Sequence, residues 1–239
     1  MADILARDLC VYFPLDHAVA AGFSADAAPS TLISTGKRRH HIKALHELNF
    51  HFREGDRIGL IGRNGSGKST LLRVLGGIYS PTGGFLEMQG HISSLFNINL
   101  GTQPDASGRE NIVIRCLLKG MRHREIRRVM DDIIAFSELE NFIDMPIRTY
   151  SDGMRMRLLF AIATSFQPEI LLLDEWIGAG DEGFQRKAAD RMNELVDQAG
   201  ITVVASHNRN LLRRICSHAL WLDMGVMKAF GPIEEVFAA

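Results

Sequence analysis

The chain of 239 residues carries 27 lysines and arginines against 28 aspartates and glutamates. Such a length suits one large α/β domain that buries its core without disulfides, and the charge balance excludes the general cationic footprint of a nucleic-acid binder. Three widely spaced cysteines, Cys10, Cys116 and Cys216, with no CxxC pair, argue against a zinc site or disulfide framework and for a reducing compartment, where they are expected as small buried residues.

Residues 4–13 alternate enough apolar side chains to predict a first strand, while Asp3, Arg7 and Asp8 interrupt what a secretory leader would keep apolar. No apolar run reaches 18 residues, so a cytoplasmic chain without direct membrane insertion is expected. Residues 14–43, with the basic cluster Lys37, Arg38, Arg39, His40 and His41, read as a long surface loop. A strand over 56–61 then runs into a glycine-rich loop, and a helix is predicted over 69–75, stopped by Gly76 and Gly77. The turn 80–84 leads to a strand near 85–88. Helical spacing follows over 109–119 and 124–137, so about 101–155 is expected to be a helical lobe inserted into the α/β core. Beyond a helix over 155–166, strands are predicted at 170–173, 201–206 and 218–222, with helices at 185–198 and 209–216. This alternation predicts a mostly parallel sheet in one domain spanning 1–239, and no internal repeat suggests a tandem arrangement.

The glycine-rich loop is Gly62, Arg63, Asn64, Gly65, Ser66, Gly67, Lys68, Ser69, Thr70, a match to G-x-x-x-x-G-K-[ST] between a strand and a helix. Glycines let backbone N–H groups approach phosphate oxygens, and the helix N-terminus adds its positive end. Lys68 is the expected partner of the β- and γ-phosphates, and the Ser69 hydroxyl the expected ligand of Mg²⁺. The apolar run 170–173 ends in Asp174 and Glu175, which puts two carboxylates at the C-terminal edge of a parallel sheet. Asp174 suits the Mg²⁺ shell and Glu175 the orientation or activation of a water. Tyr150, Ser151, Asp152, Gly153, Met154 precede the helix at 155, offering a second helix N-terminus to an anion; an ordinary cap by Ser151 or Asp152 is the simpler reading of those residues alone.

With these motifs in order, residues 150–154 resemble the signature motif of ATP-binding cassette proteins, as a variant of Leu-Ser-Gly-Gly-Gln. Gly178, Ala179, Gly180, Asp181 resemble the family's dimer-crossing loop, and Ser206-His207 its switch histidine. The resemblance implies a P-loop fold with a mostly parallel core sheet, an antiparallel β part and an inserted helical subdomain. It also implies that His207 senses the γ-phosphate of ATP, while Ser151 and Gly153 reach the ATP of a second copy. The family's glutamine between core and helical lobe is replaced by Asn97, or alternatively Asn99; its adenine-stacking aromatic is Phe13, or alternatively Tyr12. Residues 100–111, 149–160 and 174–187, with the stretch 14–43, look like the ATPase subunits of bacterial exporters of O-antigen, capsule and teichoic acid. That likeness implies a multi-spanning permease as partner, a peripheral place on the cytoplasmic face of the inner membrane, and residues 101–128 as the docking segment. Some relatives carry a carbohydrate-binding domain after the cassette, which is not expected within this chain. A nucleic-acid-linked ATPase of the same superfamily and a P-loop small-molecule kinase are the competing readings; the first lacks its coiled-coil insertion here, and the second leaves 150–154, Glu175 and His207 unexplained.

Overall fold

A computed structural model describes residues 1–15, 32–34, 40–96, 98–175 and 182–239. The chain divides into two compact units, one of Met1–Ser94, Glu169–Glu175 and Gly200–Ala239, the other of Leu95–Pro168 and Trp176–Ala199.

The first unit holds two sheets. Strands β1 (Asp3–Leu15), β2 (Leu32–Ser34), β3 (His40–Arg53) and β5 (Gly83–Gln89) form an antiparallel sheet in the order β2-β3-β1-β5. Strands β4 (Arg57–Ile61), β6 (Ile92–Ser94), β7 (Ile170–Asp174), β8 (Ile201–Ala205), β9 (His218–Asp223) and β10 (Val226–Pro232) form the other, ordered β10-β9-β4-β8-β7-β6. All its pairings are parallel except β9 with β10. Ile170, Leu171, Leu172 and Leu173 are completely buried, as strands covered on both faces must be, which is why this segment shows an unbroken apolar run rather than alternation. Helices α1 (Lys68–Leu75), α6 (Arg209–Ile215) and α7 (Ile233–Ala238) belong to the same unit.

The stretch 14–43, expected as a loop, carries strand wherever it is described: the end of β1, all of β2 and the start of β3. Strand β3 was hidden in the sequence for a physical reason. Its buried residues Leu45, Leu48, Phe50 and Phe52 break period-two spacing between 45 and 48. At that point Glu47 adopts φ +51° and the register with β1 slips, so a bulge shifts the alternation by one residue. Of the basic cluster, His40 and His41 open β3, and Lys37, Arg38 and Arg39 lie outside the described residues.

The second unit consists of α2 (Gly108–Leu118), α3 (His123–Ser137), a 3₁₀ turn (Ile147–Thr149), α4 (Asp152–Ala163) and α5 (Glu182–Gln198). It takes in two helices that extend beyond residue 155. Phe136, Phe160 and Phe184 form its aromatic centre, with ring centroids 5.6–6.1 Å apart. Asn111 is fully buried, and its polar atoms are met. The amide nitrogen donates to the carbonyls of Gln103, Ala106 and Ser107, and the oxygen accepts from the Gln103 N–H at 2.8 Å. The loop before α2 is thereby tied to the helix without an orphaned polar group.

Candidate functional site

The loop between β4 and α1 is shaped by close backbone approach. Gly62 has φ +148°, and a Cβ there would stand 2.2 Å from the Leu222 carbonyl oxygen; Gly67, at φ +109°, would press a Cβ to 2.8 Å from that of Ala44. Glycine alone fits such positions. Lys68, nearly buried, donates from Nζ to the carbonyls of Gly62 and Arg63 at 2.8 and 3.0 Å, which holds the ammonium in the mouth of the loop. Burial pushes its pKa below the usual lysine range, and the charges of Asp174 and Glu175 oppose that shift. The Ser66 hydroxyl is buried and has no hydrogen-bond partner among the described residues.

A cleft of about 710 Å³ opens at this loop. Asn64, Gly65, Ser66, Gly67, Lys68, Ser69 and Thr70 line one side, with Asp174, Glu175 and His207 also on its wall. Asp174 closes the β7 ladder opposite Ala205; Glu175, exposed, turns away from the strand at φ +66°. His207 is exposed on the turn after β8, where the Asn208 N–H donates to Ser206 Oγ at 3.1 Å and Asn208 Oδ1 caps α6 by accepting from the Leu211 N–H. Gly62 and Arg63 line an adjoining cleft of about 370 Å³, which His207 also enters.

Of the two candidate aromatics, Phe13 lines the main cleft and makes an edge contact with Tyr79 at 5.2 Å. Tyr12 is engaged elsewhere, its hydroxyl 2.7 Å from His46 Nδ1. Ile42, Lys43 and Ala44 also line the cleft. Sequence reasoning missed them because the strand that carries them was hidden by its bulge.

The donor set can be tested against the group the motifs imply. A buried hydroxyl without a partner, a cation held at the loop and a helix N-terminus suit a polyphosphate. A hydroxyl at Ser69 and a carboxylate at Asp174 are hard oxygen donors of the kind Mg²⁺ accepts alongside water and phosphate oxygens.

In the second unit, Ser151 accepts from the Met154 N–H at 3.2 Å as the cap of α4, which begins at Asp152 and places Gly153 in its first turn. The helix thus starts three residues earlier than the spacing predicts, and Ser151 rather than Asp152 is the cap. Both Ser151 and Gly153 are exposed. Tyr150 is buried and donates its hydroxyl to the Phe142 carbonyl at 2.7 Å, and burial raises its pKa. Asn97 and residues 178–181 lie outside the described residues; Asn99 is described.

Residues 45–178 match the family model for ABC transporter. The O-antigen export system ATP-binding protein RfbB of Myxococcus xanthus is 46% identical over 85% of this chain and 47% of its own length. The teichoic acids export ATP-binding protein TagH of Lactococcus lactis is 38% identical over 89% of this chain and 46% of its own length. This chain therefore spans about half the length of those two proteins. An RfbB of Klebsiella pneumoniae is 35% identical, with 94% of this chain and 91% of that protein covered. Among solved structures, the post-hydrolysis dimer of the ATP-binding cassette MJ0796 with ADP and Pi superposes with a TM-score of 0.68 at 21% identity, covering 96% of this chain and 98% of that one, a likeness of fold. The family model covers more than half of the chain and includes both the phosphate loop and the acid-ending strand. Together with a Klebsiella relative matched over nearly its whole length, it establishes that the chain belongs to the ABC transporter family.

Proposed function

We propose that this chain is the ATP-hydrolysing subunit of an exporter of polysaccharide or lipid-linked glycan, working on a membrane permease as one of two identical copies. The observation that carries the reading is the convergence of Lys68, Asp174, Glu175 and His207 on one cleft beside the glycine loop. The relatives named for O-antigen and teichoic acid export support the substrate class. No helix among the described residues is long and apolar enough to cross a membrane, in keeping with a subunit that acts through a permease.

In this reading the loop amides, Ser66 and Lys68 hold the phosphates, and Phe13 stacks on the adenine. Ser69 and Asp174 hold Mg²⁺, which supplies charge neutralisation at the β- and γ-oxygens when bound. Glu175 orients the attacking water and accepts its proton, and His207 contacts the γ-phosphate. Ser151 and Gly153 serve the ATP of the second copy, through the capped N-terminus of α4. Asn97 or Asn99 takes the part of the family's amide between core and helical lobe.

Residues 101–128 form the docking segment. Within this segment Ile112 is fully buried, whereas Leu117 and Leu118 are 42% and 70% exposed. Arg122, Arg124, Arg127 and Arg128 are exposed nearby in sequence. The test is co-expression with a multi-spanning permease, sought in the reading frames beside this one: reconstituted in vesicles, the pair should hydrolyse ATP and move a lipid-linked glycan. Salt-sensitive retention by DNA or RNA, with no permease association, would replace the exporter with the nucleic-acid reading.

A further inference from the structure

Helix α2 carries two buried polar side chains four residues apart, Asn111 and Arg115, which lie one above the other on the same face. Asn111 holds the near part of the preceding loop, from Gln103 to Ser107, by the bonds described above. Arg115 holds the far part: its guanidinium Nη1 donates to the Ile98 carbonyl and to the Thr102 hydroxyl, the latter at 3.3 Å. Leu118, a further turn along, covers the same loop, since a Cβ at Gly101 would stand 2.7 Å from its Cδ1. Residues 98–107 are thus strapped along α2 by side chains from three successive turns.

The strap is also laced to the residues that precede Ser151. The Ile147 N–H donates to the Ala106 carbonyl at 3.0 Å and the Arg148 N–H to that of Pro104 at 2.9 Å, while Ser107 and Pro146 pair in an isolated antiparallel bridge. The Tyr150 N–H donates in turn to the Ile147 carbonyl at 2.9 Å, and Ser151 follows as the cap of α4. A contiguous set of hydrogen bonds therefore runs from α2 through the strap to the N-terminus of α4, all within the second unit.

Arg115 is the member of this set that packing does not explain. It is buried, and it donates to a neutral carbonyl and a neutral hydroxyl. Burial pushes its pKa below the usual arginine range, with only the Cys116 thiol opposing the shift. An apolar side chain of like size would fill the space without desolvating a charge, but it would leave Ile98 and Thr102 unheld. What the cation provides is that grip.

We infer that Arg115 is a positioning residue for ATP hydrolysis: by gripping residues 98–102 it sets, through the strap, where the capped N-terminus of α4 stands, and so how well Ser151 and Gly153 meet the ATP of a second copy. It acts through the strap and not on the nucleotide. The connection to ATP rests on the arrangement of two copies proposed above; the connection from Arg115 to the start of α4 does not.

The experiment compares Arg115→Met, Arg115→Lys and Thr102→Val in the intact chain carrying Glu175→Gln, so that bound ATP persists. Hydrogen exchange read by peptide mass spectrometry without nucleotide tests the strap. Arg115→Met should quicken exchange over residues 99–107 and 147–155 by about tenfold or more and leave 123–137 unchanged. Arg115→Lys should restore part of the protection, and Thr102→Val should show a smaller shift of the same kind. Sedimentation then reads dimer formation with ATP. Arg115→Met should raise the dimer dissociation constant by about tenfold or more while the affinity of the single chain for ATP stays within a few-fold, with Arg115→Lys between it and the parent. Exchange that quickens over 99–107 but not over 147–155 overturns the relay, as does dimer formation unmoved when both segments have quickened. Exchange that quickens throughout, α3 included, in both Arg115→Met and Thr102→Val overturns it in favour of a general loss of structure. If the Glu175→Gln parent forms no dimer with ATP while exchange responds as stated, the two-copy arrangement fails and the assignment of Arg115 to the strap stands.

Discussion

The Glu175 N–H donates to the Ala205 carbonyl at 2.8 Å, one residue beyond the Asp174–Ala205 pairing that ends the ladder between β7 and β8. This bond fixes the edge of the sheet where the two acids leave it, and it holds Glu175 at φ +66°. A left-handed residue other than glycine costs about 1–2 kcal/mol, so the strand end stores strain at the residue assigned to water.

The first prediction separates these two roles of Glu175. Glu175→Gln should bind ATP within a few-fold of wild type, lose turnover by about 100-fold or more, and accumulate as an ATP-bound dimer on size exclusion. Glu175→Gly should be equally slow yet unfold later than Glu175→Val, by about 1–2 kcal/mol in denaturant titrations. Wild-type turnover in Glu175→Gln removes the assigned role.

Pairing of sites between copies can be read by mixing. Lys68→Ala and Ser151→Arg chains should each be inactive, and their mixture should recover part of the ATPase activity, because a heterodimer keeps one site with both an intact loop and an intact α4 N-terminus. A mixture as inactive as either parent contradicts an arrangement in trans.

Tyr150 anchors the start of α4, and a Cβ at Gly108 would lie 2.5 Å from its hydroxyl oxygen. Tyr150→Phe should cost about 1–2 kcal/mol of stability by leaving the Phe142 carbonyl without this donor. Gly108→Ala should cost less in the Tyr150→Phe background than in wild type, because the two changes share one contact. Additive losses in thermal unfolding would show that the hydroxyl and Gly108 do not meet.

Docking through residues 101–128 predicts a charge effect. Arg124→Glu combined with Arg127→Glu should weaken retention by the permease in detergent by about tenfold or more while ATP binding stays unchanged. Loss of ATP affinity with retention intact would move the docking surface elsewhere.

Much of the fold was legible because its signals are local. The glycine loop, the buried run ending in Asp174 and Glu175, and the helices near 109–119 and 124–137 each announce themselves within a dozen residues, and the structure has elements at each place. The cleft that gathers Lys68, Asp174, Glu175 and His207 depends on the strand order, with β8 between β4 and β7; the motifs put the acids at the C-terminal edge of a parallel sheet but carry no signal of that order. Strand β3 was illegible because a single extra residue inverts its alternation. Strand β10 was missed because none of its residues is fully buried and no apolar run marks it, and helix α7 because it is only six residues long. The engagement of Tyr12 with His46 depends on a contact between residues 34 apart in sequence, and only the register of β1 against β3 reveals it.

Strand β4, which feeds the glycine loop, is flanked by β8 and β9, and its first residue, Arg57, pairs with Thr202. Both neighbours come from the last quarter of the chain. During synthesis β4 therefore leaves the ribosome long before either partner exists, and its buried Ile58 and Leu60 must wait uncovered until some 145 residues more have emerged. Such long-range pairing makes closure slow and leaves an intermediate with exposed strand edges. Removal of β8 and β9 should therefore leave an aggregating product rather than a shortened ATPase, because these are the two strands between which the loop strand closes.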